Sequence, residues 1–158
     1  MPTAVFLLAG IFNGWRFLRW RFWLCWRVPL LWSLHLAYCF IPLGLLSLAA
    51  YEAGWIVNTN ATLHVFSTGA IGGVILAMIS RVSLGHTGHP LSASVLMVVA
   101  FTLILLSALV RAVVPEWFPA WALQGIVISA AAWSLAYGIF CLSYTRMLLR
   151  PRANGAPD

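Results

Sequence analysis

The stretch Leu91–Val114 reads LSASVLMVVAFTLILLSALVRAVV, and its one charged residue, Arg111, stands close to its end. A helix needs about 20 predominantly apolar residues to cross the hydrocarbon layer of a bilayer. This stretch meets that requirement, and its polar residues are too few to give it a solvated face. Three further stretches meet it without any charge: Val28–Ala50, Ala61–Ser80 and Trp117–Ser143. The expected fold is therefore all-α, a polytopic membrane helix bundle with four full spans within residues 28–150. Composition excludes the alternatives. Of 158 residues, 63% are hydrophobic and 8% charged, whereas a soluble domain carries about a quarter charged residues. Disorder requires low hydrophobicity, which is absent.

The N-terminal region departs from this pattern. The apolar run Ala4–Phe12 is too short to span. It is no secretory signal, because the basic cluster follows the run instead of preceding it. Two readings stay open. The run is the end of a longer spanning helix, or Ala4–Trp26 forms an interfacial helix. In the second case Arg16, Arg19 and Arg21 lie among headgroups beside Trp15, Trp20, Trp23 and Trp26. Residues 1–27 are thus a truncated helix or short interfacial helix followed by a basic, aromatic segment. Residues 151–158 form a short polar tail, expected to be disordered.

The formal charge of +6 comes from nine basic residues, all arginine, against Glu52, Glu116 and Asp158. These arginines sit between apolar runs, so topology and anionic headgroups account for them better than nucleic acid, for which no soluble basic face exists. Arg16, Arg19, Arg21 and Arg27 precede the first full span, Arg81 follows the second, and Arg146, Arg150 and Arg152 follow the fourth. Both glutamates fall on the opposite side. The positive-inside rule then makes the arginine side cytoplasmic, C-terminus included. Trp55, Trp117 and Trp121 suit an aromatic belt on the other side.

Ionisable residues inside spans are costly and are functional candidates by default. His35 shares a helical face with Tyr38, Cys39 and Pro42 at i+3, i+4 and i+7. It is a haem or copper ligand with Tyr38 and Cys39 around it, or a neutral imidazole bonded to a neighbouring hydroxyl or carbonyl. His64 lies one turn into the second span with Ser67 and Thr68 on its face. Gly69 and Gly73 form a close-packing pair on roughly the other face. His35 and His64 should differ in depth by roughly 10 to 15 Å, so two sites fit better than one shared metal. His86 and His89 form an HxxH in a Gly-rich loop, which is either two ligands for copper or zinc or a plain headgroup-level turn. Arg111 either snorkels outward and pairs with Glu52 or Glu116, or steadies a haem propionate.

Cys25, Cys39 and Cys141 make no CxxC and no disulfide framework. The spans contain no carboxylate, and there is no Ser–His–Asp order, P-loop or dinucleotide fingerprint. No catalytic motif supports an enzyme. A metal-binding protein, a transporter fragment and a cofactor-free structural subunit stay open on these residues alone.

Several strings resemble the NnrS family, bacterial multi-pass membrane haem–copper proteins linked to nitric oxide. They are Gly14-Trp15-Arg16, Pro29-Leu-Leu-Trp-Ser-Leu-His35-Leu-Ala-Tyr38 and Ile41-Pro42-Leu43-Gly44, followed by Leu63-His64 and Gly69-Ala-Ile-Gly72. Arg81-Val-Ser-Leu-Gly85-His86-Thr87-Gly88 completes the set. The resemblance is to the C-terminal part of the family. It implies haem b and copper as cofactors. It implies His35, His64 and His86 as their ligands, His89 more weakly, with Arg81 beside the cofactor. It implies nitric oxide or nitrosylated metal species as partners in a nitrosative stress response. It also implies that the chain is a fragment whose partner is a missing N-terminal half or another membrane subunit.

Overall fold

A computed structural model describes residues 2–57 and 59–153. Among these residues there are helices and turns and no strand. Helix α1 covers Pro2–Arg19, α2 Pro29–Glu52, α3 Thr59–His86, α4 Val95–Trp117 and α5 Ala122–Leu148. Short 3₁₀ turns at Phe22–Cys25 and Pro119–Trp121 lead into α2 and α5. Helices α2 to α5 are each long and apolar enough to cross a membrane. Leu123, Val127, Ile128, Leu135 and Leu142 are exposed on α5, as expected where the surrounding solvent is hydrocarbon.

Successive helices run antiparallel, and small residues set how closely they approach. On α1, Gly10 faces Leu46 and Gly14 faces Pro42, while the Asn13 Oδ1 accepts from the Tyr38 hydroxyl at 2.8 Å. Helix α1 therefore lies along α2. It is shorter than Ala4–Trp26, the range read for an interfacial helix. The helix ends at Arg19, and Arg21 takes the left-handed conformation (φ 49°), which turns the chain back toward α2. The physical reason for this packing is the partner: Gly10 leaves room for the Leu46 side chain, and an amide in lipid needs a bonded mate. Tyr38→Phe removes that mate. It is expected to cost about 0.6 kcal/mol, read as a lower midpoint in denaturing-detergent unfolding.

Between α2 and α3, Gly69 abuts Phe40, Gly73 abuts Ala37 and Gly44 abuts Phe66, with Ser47 and Thr62 hydroxyls 2.7 Å apart. Between α4 and α5, Val114 fills the space over Gly125, and Ser129 donates to the Ser107 carbonyl at 3.0 Å. The core lies where α2, α3 and α4 meet. Leu30, Leu76, Met97, Phe101 and Ile104 are fully buried there.

Several boundaries differ from the sequence reading, among them the fourth span, since Trp117 closes α4 and α5 covers Ala122–Leu148. Helix α3 continues six residues past Ser80, so Arg81, Gly85 and His86 are helical. Nothing between them stops a helix. The stop comes at Gly88 (φ 72°) and Pro90. Helix α4 starts at Val95, not Leu91, because Ser94 caps it by accepting from the Met97 N–H at 3.3 Å. The expected disordered tail falls mostly on residues 154–158, outside the described residues. Its first part is tied down, since the Ala153 N–H donates to the Thr87 carbonyl at 2.9 Å.

The antiparallel order brings the ends of α1, α3 and α5 and the starts of α2 and α4 together. Arg16, Arg19, Arg21, Arg27, Arg81, Arg146 and Arg150 belong to that end. Glu52, Arg111 and Glu116 belong to the other, with Trp55, Trp117 and Trp121 exposed around them.

Candidate functional site

The histidines occupy three separate places. His35 is half-buried at the arginine-rich end of α2. Its Nδ1 lies 2.8 Å from the Leu31 carbonyl, and its ring meets Trp20 edge-on at 5.7 Å. A carbonyl acceptor fixes the hydrogen on Nδ1 and leaves Nε2 with its lone pair, the tautomer a metal requires. Tyr38 spends its hydroxyl on Asn13, and its ring packs on Trp20 at 4.6 Å. Arg16 covers the Trp20 and Tyr38 rings at 4.9 and 5.8 Å. Cys39 is half-buried one turn on from His35.

His64 stands at the opposite end. The pairs Ser47–Thr62 and Gly44–Phe66 place it level with the last turns of α2. This is about ten residues of helix from His35, or roughly 15 Å in depth. The two are therefore far apart, as their spacing implied. His64 and Arg111 share a cavity with two adjoining lobes of about 240 and 260 Å³. Thr68, Ser129, Trp133 and Ser134 line the first lobe, Asn60 and Pro115 the second. Trp133 and Ser134 are exposed, so the cavity opens at a face of the bundle. The expected ion pair of Arg111 with Glu116 is replaced. The Glu116 carboxylate accepts from the Val57 N–H at 3.2 Å, while Arg111 faces His64. An arginine inside a span is a candidate site for an anionic partner.

His86 is exposed at the last turn of α3, and Arg81 is half-buried five residues before it. His89 turns elsewhere. Its Nδ1 lies 3.0 Å from the Thr87 hydroxyl, and its ring lines a cavity with Arg146 and Arg150. Among the described residues, no three of His, Cys, Asp and Glu gather as metal ligands do.

One feature of the site had no distinct sequence signal. Directly after His64, residues Val65–Gly72 form a π-helix. Such segments are rare, and shorter ones occur frequently at functional sites. The glycines at 69, 72 and 73 are its only trace in the sequence. The Tyr137 hydroxyl on α5 donates to the Gly72 carbonyl at 3.0 Å, bonding α5 to the end of the wide turn. Ser67 donates back to the Leu63 carbonyl at 2.9 Å, close to His64. Tyr137→Phe should cost about 1 kcal/mol. It should also speed amide exchange selectively over residues 65–72, measured by hydrogen–deuterium exchange.

Fold and site together define an all-α, multi-span membrane protein with histidine and arginine placed inside its spans. The family model described as NnrS protein matches residues 1–152, and the chain belongs to that family. Compared with curated proteins and with solved structures, the chain finds no match.

Proposed function

We propose that this chain is a haem-binding membrane protein of the bacterial response to nitric oxide, with His64 as the haem ligand. Family membership supports the reading. The structural observation that carries it is the cavity shared by His64 and Arg111. Haem b needs one or two axial imidazoles and a place for two propionates. A guanidinium beside the imidazole answers the second need by bidentate contact. The open face admits a group larger than either lobe. When bound, haem supplies an iron centre able to take up nitric oxide. The chain's own residues do the rest. His64 presents its ring, Arg111 neutralises a carboxylate, and the Thr68 and Ser129 hydroxyls bound the polar wall of the cavity. His35 is the second candidate, because its tautomer is suitable and Arg16 lies nearby.

Copper, implied by the family resemblance, fits less well. It asks for three or four converging donors, whereas His35 and Cys39 make two and His86 stands exposed. A cation is also disfavoured beside Arg111. No step is derived through copper. Donors from the N-terminal half of a longer chain, or from another membrane subunit, would be needed. In this reading the arginine-rich end faces the cytoplasm of the inner membrane. Nitric oxide or a nitrosylated metal species reaches the protein through the bilayer.

The test is optical. Protein purified from cells supplied with haem precursor should show a Soret band that shifts with nitric oxide. A folded helical protein without any such band would leave a cofactor-free membrane subunit as the better reading.

A further inference from the structure

His89, left over from the expected HxxH metal pair, belongs to a different cluster. It lines a cavity of about 380 Å³ with Ser143, Arg146, Arg150 and Pro151. The turn that carries it is held on both sides. The His89 N–H donates to the Leu84 carbonyl at 2.9 Å, and the Ala153 N–H donates to the Thr87 carbonyl at 2.9 Å. The segment ending at Ala153 is thereby tied to the turn after α3. Among the described residues, no acidic one lines this cavity. Two guanidiniums that line one cavity repel each other, and an anion between them relieves the repulsion while accepting from both forks.

The imidazole adds a specific demand. Thr87 gives its hydroxyl hydrogen to the Ser83 carbonyl at 2.8 Å, so toward His89 it can only accept. Nδ1 therefore carries the hydrogen, and Nε2 of the neutral ring is an acceptor. The cavity thus offers fixed positive charge from two arginines and an acceptor from histidine. Its occupant must be anionic and must also carry a hydrogen-bond donor. The surroundings show where it comes from. The cavity sits at the end of a membrane-length helix, and Leu142, Leu148 and Leu149 are exposed on that same last stretch. Those side chains suit acyl chains, and the arginines lie at headgroup level.

We infer that the cavity formed by His89, Arg146 and Arg150 binds the headgroup of an anionic phospholipid bearing free hydroxyls, of the phosphatidylglycerol type. The phosphate lies between Arg146 and Arg150, and a glycerol hydroxyl donates to His89 Nε2. This site does not depend on the haem reading, being at the opposite end of the bundle from Arg111.

Binding of short-chain phosphatidylglycerol, phosphatidic acid and phosphatidylcholine to the purified full chain in detergent, followed by native mass spectrometry, tests it. Phosphatidylglycerol should bind about tenfold tighter than phosphatidylcholine, and Arg146→Gln with Arg150→Gln should remove that difference. Arg146→Lys with Arg150→Lys keeps the charge and protects insertion, and should lose only about threefold. His89→Ala should weaken phosphatidylglycerol by about fivefold and leave phosphatidic acid, which has no glycerol hydroxyl, unchanged. Circular dichroism shows whether each variant keeps its helices. The inference is overturned if the folded double glutamine variant binds phosphatidylglycerol as the unaltered chain does. Equal loss of both anionic lipids in His89→Ala overturns the hydroxyl contact. Displacement of the lipid by equimolar inorganic phosphate overturns the lipid assignment in favour of a free phosphate site.

Discussion

On the haem proposal, the His64→Ala variant should purify as a folded helical protein without the Soret band expected of the unaltered chain. His64 is half-buried, and its loss leaves an enlargement of an existing cavity instead of a hole in the core. The helical signal and the detergent unfolding midpoint should therefore stay close to those of the unaltered protein. The spectrum should not, because haem held in lipid by one imidazole has little else to replace that bond. Arg111→Gln is the companion variant. It keeps the ligand and removes the cation, so haem should remain but be lost about tenfold more readily on titration with a haem acceptor. His35→Ala separates the two candidate places. Were it to lose the band while His64→Ala kept it, the haem would belong at the arginine-rich end.

The second large effect concerns stability. Gly73→Ala should destabilise the bundle by about 1–3 kcal/mol, seen as a lower midpoint in denaturing-detergent titration. A Cβ at Gly73 would lie 2.8 Å from the Ala37 Cβ, and that atom is fixed to its backbone. Only separation of α2 from α3 relieves the contact. Gly69→Ala should act in the same direction, because the new Cβ would overlap the buried Phe40 ring. Gly14→Ala is the control. Its nearest neighbour, the Pro42 Cβ, would be 3.9 Å away, ordinary contact distance. The change should then be neutral, or stabilising by up to about 1 kcal/mol from helix propensity. Between helices in lipid no hydrophobic drive compensates for lost contact, so close packing carries the association.

The spans were legible because length and hydropathy are local properties. Leu91–Val114 and its three counterparts could be read one at a time, and a membrane-length helix covers most of each. The glycine pair at 69 and 73 was legible too, since a period of four puts both on one helix face. The helix Pro2–Arg19 was only half visible. Its second half is basic and aromatic, and what holds it in place is a bond from Tyr38 twenty-five residues on. The apolar run before Arg81 gave the span but not the helix end, which lies at His86, where backbone geometry and then a proline stop the helix.

The site was legible as a list of residues and not as an arrangement. His64 and Arg111 stood out singly as costly groups in apolar runs, yet their pairing crosses from α3 to α4 and follows from how the two helices pack. The π-helix after His64, with Tyr137 bonded to its final carbonyl, has no periodic signature of its own. The sequence alone determined four spans, a net charge of +6 gathered toward one side and the NnrS resemblance, because each depends on residue type and spacing along one helix. Only the tertiary structure decided that Arg111 faces His64 instead of a glutamate, and that His89 joins Arg146 and Arg150 instead of His86. Those choices are made by side chains of different helices meeting at one depth, which no period in a single strand of text encodes.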